Sequence, residues 1–189
     1  MKLSAAHLAS ILLLSFAAGG VFAGIYFPLP TDAVISPVPF SSQQTVFCPS
    51  PECTSLPVSA LDAAQTRVDV AMYSFTNSDL ADALIRAHAR GVSVRVVVEK
   101  QQAGSQYSQH RALSDAGIVV RIDSNPNYMH HKFAVIDDSI LINGSMNWSG
   151  NGVRENNENV SIIHSPELNA LFEKEFEKIW NDSDAFSSN

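Results

Sequence analysis

Between positions 130 and 147 the chain gathers an imidazole, an ammonium, a carboxylate, a hydroxyl and an amide. The residues run His130-His131-Lys132-Phe133-Ala134-Val135-Ile136-Asp137, then Gly144-Ser145-Met146-Asn147. Lys132 to Ile136 reads as a β-strand, and residues two apart on a strand project from one face. His130 and Lys132 therefore converge on one spot. A lysine there is a point charge for a phosphate oxygen. A histidine is a nucleophile or proton carrier near neutral pH. Ser145 and Asn147 are also two apart and add neutral donors, which stabilise developing charge most where water is excluded. Together these groups suit attack on a phosphodiester.

Each residue also has a plainer reading. A single strand histidine is commonly structural and a single surface lysine is commonly solvated. The spaced set is what favours chemistry here. His131 points to the opposite face, towards Phe133 and Val135, as a core or supporting histidine. Asp137 falls at the Asp137-Asp138 turn, where a turn-forming or strand-bridging carboxylate is expected. Gly144 reads as a requirement for close backbone approach. Glu158, in Asn156-Asn157-Glu158-Asn159, is either a loop-end carboxylate or a group that holds a catalytic imidazole by its other nitrogen.

In-line phosphodiester cleavage needs one group to attack and another to protonate the leaving oxygen. One histidine cannot do both at once, and the chain holds one such motif. His7, His88, His110 and His164 lack a lysine two residues on.

The pattern His-x-Lys-x4-Asp-x6-Gly-Ser-x-Asn resembles the phospholipase D superfamily, specifically its small bacterial nuclease branch with one motif per chain. Ala71 to Thr76, the Arg90-Gly91-Val92 helix end, Arg121 to Asn125 and Glu158-Asn159 extend the resemblance over roughly Phe47 to Asn181. It implies a catalytic set of His130, Lys132, Asp137 and Glu158, with Lys132, Ser145 and Asn147 holding phosphate. It also implies a covalent phosphohistidine, no metal or other cofactor, and a two-fold homodimer that joins two motifs into one site.

The elements that must position these residues follow from periodicity. Val58 to Thr66 reads as a helix and Arg67 to Phe75 as a strand. A helix capped at Asn77-Ser78 runs to about Arg90, stopped by Gly91. Val92 to Glu99 is a strand, Gln106 to Ala116 a helix and Ile118 to Ile122 a strand. Lys132 to Ile136, Ser139 to Ile142 and Asn159 to His164 are further strands, and Glu167 to Trp180 is a closing helix. This order implies an α/β fold: a mixed β-sheet flanked by helices on both faces.

Residues 1–23 read as a signal peptide or N-terminal anchor, from Lys2, the apolar run Leu8 to Ala18 and a cleavage pattern at Val21-Phe22-Ala23. Residues 24–55 are a Pro-rich linker or edge segment, 56–184 the catalytic domain and 185–189 a tail. Cys48 and Cys53 make either a local disulfide or two free thiols. Asn143, Asn147, Asn159 and Asn181 head Asn-x-Ser sequons, two of them inside the motif. A glycan there would block the site, which favours bacterial export, periplasmic or secreted.

The net charge of −7 disfavours tight non-specific nucleic-acid binding. The expected activity is still an endonuclease acting on DNA or RNA. The alternative is a phospholipase D acting on phosphatidyl lipids in transient contact with a membrane. A non-catalytic module that binds phosphate or membranes is the reading from another class.

Overall fold

A computed structural model describes residues 42–186. The expected leader lies outside the described residues. The first half comprises β1 (Ser42–Cys48), α1 (Glu52–Asp62), β2 (Arg67–Met72), α2 (Ser78–Ala89), β3 (Ser93–Val98), α3 (Lys100–Ala103), α4 (His110–Asp115) and β4 (Val119–Ile122). There follow β5 (Lys132–Ile136), β6 (Ile140–Gly144), α5 (Gly150–Arg154), β7 (Glu158–His164), α6 (Pro166–Asn181) and β8 (Asp184–Ala185).

All eight strands join one sheet in the order β1-β7-β6-β5-β2-β3-β4-β8. β2, β3 and β4 pair in parallel, as helical crossovers require, and the remaining pairs are antiparallel. Alternation along the strands feeds two cores. Val68, Val70 and Met72 of β2 pack with Leu61, Leu80 and Leu84 on one face. Ala71, Val97, Phe133 and Val135 pack with Phe176 and Trp180 of α6 on the other. The mixed sheet with helices on both faces is the architecture the periodicity implied.

The signals read for α2 act where they were read, and α6 adds others. Asn77 caps α2, accepting from Leu80 N at 3.0 Å, and Gly91 follows the helix at φ +91°. Ser165 caps α6, accepting from Leu168 N at 3.2 Å. Within α6, Asn169 Nδ2 donates to the carbonyls of Ile136 and Ile140 at 3.2 and 2.9 Å, clamping the β5–β6 turn.

Several elements differ from expectation, among them the short α3, α5 and β8, which were not expected. The first helix begins at Glu52 rather than Val58 and runs through Pro57, whose ring is buried. Proline costs a helix one hydrogen bond, and packing here outweighs that cost. Ser42–Cys48, in the Pro-rich stretch, pairs with β7 along its whole length, from Ser42↔His164 to Cys48↔Glu158. The helix expected over Gln106 to Ala116 is shorter, His110–Asp115. Cys48 and Cys53 form a disulfide between β1 and α1. Among the described residues no helix is long and apolar enough to cross a membrane.

Candidate active site

The functional side chains collect at the end of the sheet where β2 and β3 terminate. Lys132 opens β5 opposite Met72, the last residue of β2. Beyond that rung, Tyr73 N donates to His131 O at 2.8 Å, which fixes the turn carrying His130. Lys132 is only 9% exposed. Its Nζ donates to His130 O at 2.8 Å and lies 3.1 Å from His130 Nδ1. It also sits 4.9 Å from the centre of the Tyr73 ring, and that ring packs on His130 at 4.4 Å. Tyr73 is thus the floor of the pair. Burial lowers the Lys132 pKa below the ordinary lysine value, and the Glu158 carboxylate opposes that shift.

Across β6, Gly144 lets two backbones touch. A Cβ at this position would lie 2.1 Å from Asn159 O, so any larger residue would force β6 and β7 apart. That approach puts Ser145 against Glu158 and Asn159. Ser145 Oγ donates to Glu158 Oε2 and accepts from Asn159 N, the latter at 3.1 Å. Asn156 Nδ2 donates to Glu158 Oε1 at 3.1 Å. Within one chain, then, both Glu158 oxygens are engaged, and neither hydrogen bond is to a histidine. The side-chain Oδ1 of Asn147 is buried without a hydrogen-bond partner among the described residues.

One member of the expected site set lies elsewhere. Asp137 ends up beyond the opposite end of β5 from Lys132. It accepts from Thr66 N and Thr66 Oγ1, both at 2.8 Å, and from Gln65 N and Arg67 N at 3.1 and 3.2 Å. Burial pushes its pKa up, but the hydrogen bonds from Thr66, Arg67 and Gln65 win and hold it below the ordinary carboxylate value. Its φ of +49° marks it as a turn residue. His131 does face away from Lys132, but it is 46% exposed rather than in the core. It precedes the first residue of β5 and packs edge-on to Phe133, with Nε2 3.7 Å from Glu175 Oε1. Burial lowers its pKa and Glu175 opposes that shift.

A cavity of about 490 Å³ opens at His130, lined also by Tyr128, Asp123, Asn125 and Lys178. An apolar cavity of about 510 Å³, formed by Phe133, Leu171 and Phe172, adjoins it and shares His131, Glu175 and Lys178. Tyr73 and Tyr128 were not singled out from sequence. The signal for Tyr73 was its position one residue past a strand whose end meets the motif.

Comparison with known proteins bears on the family and the fold. The family model described as "Cardiolipin synthase, PLD-like domain" matches residues 58–180. A mitochondrial cardiolipin hydrolase of Chlamydomonas reinhardtii is 36% identical over 86% of this chain and 74% of that protein. The mitochondrial cardiolipin hydrolase of Homo sapiens is 44% identical over 64% of this chain, and the match spans 48% of its length. The crystal structure of Nuc, a phospholipase D family member from Salmonella typhimurium, superposes with a TM-score of 0.73 at 31% identity, over 78% of this chain and 99% of that one.

The names of these relatives overturn one expectation. The cardiolipin hydrolases among them are named mitochondrial, so the reading of bacterial export to the periplasm or medium does not stand. Lys2 and the apolar run after it do not distinguish an export leader from another membrane-directed segment, since both need a basic flank and an apolar core. Any chain that avoids the glycosylating route would equally keep a glycan from the site.

Proposed function

The chain belongs to the phospholipase D superfamily, and from that premise we propose that it hydrolyses the phosphodiester of phosphatidyl lipids through His130, in association with a mitochondrial membrane. The observation that carries the chemistry is the contact of His130 Nδ1 with Lys132 Nζ at 3.1 Å. With lysine as an ammonium, Nδ1 accepts, so the neutral ring keeps its proton on Nε2. A phosphate oxygen arriving at Lys132 competes for that ammonium and frees Nδ1 to carry the proton. Nε2 then presents its lone pair to phosphorus.

The step that follows forms the Nε2–phosphorus bond as the bond from phosphorus to the leaving alcohol breaks. The alcohol oxygen takes a proton from His130 of a second copy. That neutral imidazole next removes a proton from water, which attacks phosphorus and releases the first His130 and the phosphomonoester. Lys132 and Asn147 would hold the phosphoryl oxygens, with Ser145 joining once its proton leaves Glu158. Glu158 of one copy would hold Nδ1 of the other's His130, since Glu158 bonds no histidine within its own chain. The reading includes no metal. Among the described residues no group of three His, Cys, Asp or Glu side chains could hold one.

Lipid is favoured over nucleic acid by the apolar cavity that adjoins the His130 cavity on its His131 side and by the net charge of −7. The experiment sets vesicles of cardiolipin or phosphatidylcholine beside plasmid DNA and RNA, in excess chelator, with His130→Ala as control. Phosphatidic acid released by the wild type and not by the variant is the expected result. Nucleic-acid cleavage without lipid cleavage would return the endonuclease reading. Activity that dies in chelator and recovers with magnesium would overturn the metal-free mechanism.

A further inference from the structure

A third cavity, of about 410 Å³, lies on the Tyr73 side of the site. Ser74, Ser105, Ser149, Asn151 and Arg154 line it, and no carboxylate does. In a chain of net charge −7 that absence is informative. Arg154 enters no ion pair among the described residues. Its guanidinium lies back over Gly150, where a Cβ would sit 2.8 Å from Nη2. Glycine at that position leaves the guanidinium its place in the cavity wall.

Two of the lining hydroxyls are set to donate. Ser149 Oγ accepts from Gly152 N at 3.1 Å, and Ser105 Oγ accepts from Tyr107 N at 3.3 Å. With lone pairs taken by backbone amides, their protons are available to an acceptor in the cavity. A fork of guanidinium donors beside two hydroxyls and an amide is a constellation for an anionic oxygen group. The cavity is one wall from the catalytic pair. Gln102 Nε2, in its lining, donates to Tyr73 OH at 3.3 Å, and Ser149 N donates to Asn147 O at 2.8 Å.

We propose that this cavity is a subsite for a second phosphate of the same lipid molecule whose first phosphate lies at His130 and Lys132. It rests on the lipid-hydrolase reading and adds selectivity for lipids with two phosphodiesters over lipids with one. Cardiolipin, two phosphatidyl groups joined by a glycerol, has the required chemistry; phosphatidylglycerol leaves the subsite empty.

The test measures kcat/KM on phosphatidylcholine vesicles carrying cardiolipin or phosphatidylglycerol at matched surface charge. For Arg154→Gln the cardiolipin-to-phosphatidylglycerol ratio should fall roughly 10-fold, the scale of one lost charge-assisted contact. Gly150→Ala keeps the charge but displaces the guanidinium, and should lower the ratio in the same direction. A ratio unchanged in both variants overturns the subsite and leaves the hydrolase reading standing. A loss confined to oligonucleotide cleavage assigns Arg154 to a nucleic-acid backbone and also overturns it. A wild type that cleaves neither lipid fails the hydrolase reading first, and the subsite with it.

Discussion

Lys132 is an ammonium held almost out of water, and its surroundings make its protonation sensitive to one neighbour. Burial lowers its pKa and Glu158 raises it. If the protonated lysine holds the phosphate, activity falls as pH rises through that lowered value. The alkaline limb of kcat/KM should therefore lie below the ordinary lysine value of about 10.4. Glu158→Gln removes the opposing carboxylate, so the limb should move further down. A limb that stays in place on this change would show that Glu158 does not act on Lys132. This residue-scale reading was partly open to sequence. His130 and Lys132 were legible because both belong to one short spaced run. The contacts of Tyr73, and the engagement of Glu158 with Ser145, come from segments far apart in the chain, and spacing does not report them.

Asp137 shows how a motif residue can serve an element. Its carboxylate gathers the amides of Gln65, Thr66 and Arg67 where the chain enters β2, locking β2 to the far end of β5. Replacement by Ala leaves those donors without their acceptor. The expected cost is about 2–3 kcal/mol, read as a lower denaturation midpoint, with kcat retained in the folded fraction. The pH sign follows from its lowered pKa. Between the folded and unfolded values the unfolded chain binds more protons, so the contribution is full above the unfolded value of about 3.9 and is lost as pH falls through the folded one. Asp137→Ala should lack that part of the acid dependence; an unchanged acid profile would argue against the assignment. The turn was legible from Asp137-Asp138. β1 was not, because the prolines on either side of it hide a strand whose identity depends on seven rungs with β7. α5 was hidden likewise: it carries two glycines, which disfavour a helix, yet a Cβ at Gly152 would lie 2.3 Å from Asn147 O.

At the scale of the whole molecule, the α/β class was legible because alternating strands and capped helices each declare themselves locally. The compartment was not, since membrane-directed leaders share one physical pattern. The proposed two-fold pair is argued from chemistry rather than from any local pattern. One His130 per chain supplies one of the two groups an in-line displacement needs, and Glu158 bonds no histidine of its own chain. A two-fold pair places the same residue on both sides of the axis. The consequence is quantitative when wild type is co-refolded with an equal amount of His130→Ala. If one site needs both histidines, only pairs of two wild-type chains are active, roughly one quarter of all pairs under random assortment. Activity per wild-type chain should therefore fall by about half, with sedimentation showing that both proteins dimerise alike. Activity that merely scales with the amount of wild-type chain would mean that each chain cleaves alone, and the reciprocal-histidine mechanism would be lost.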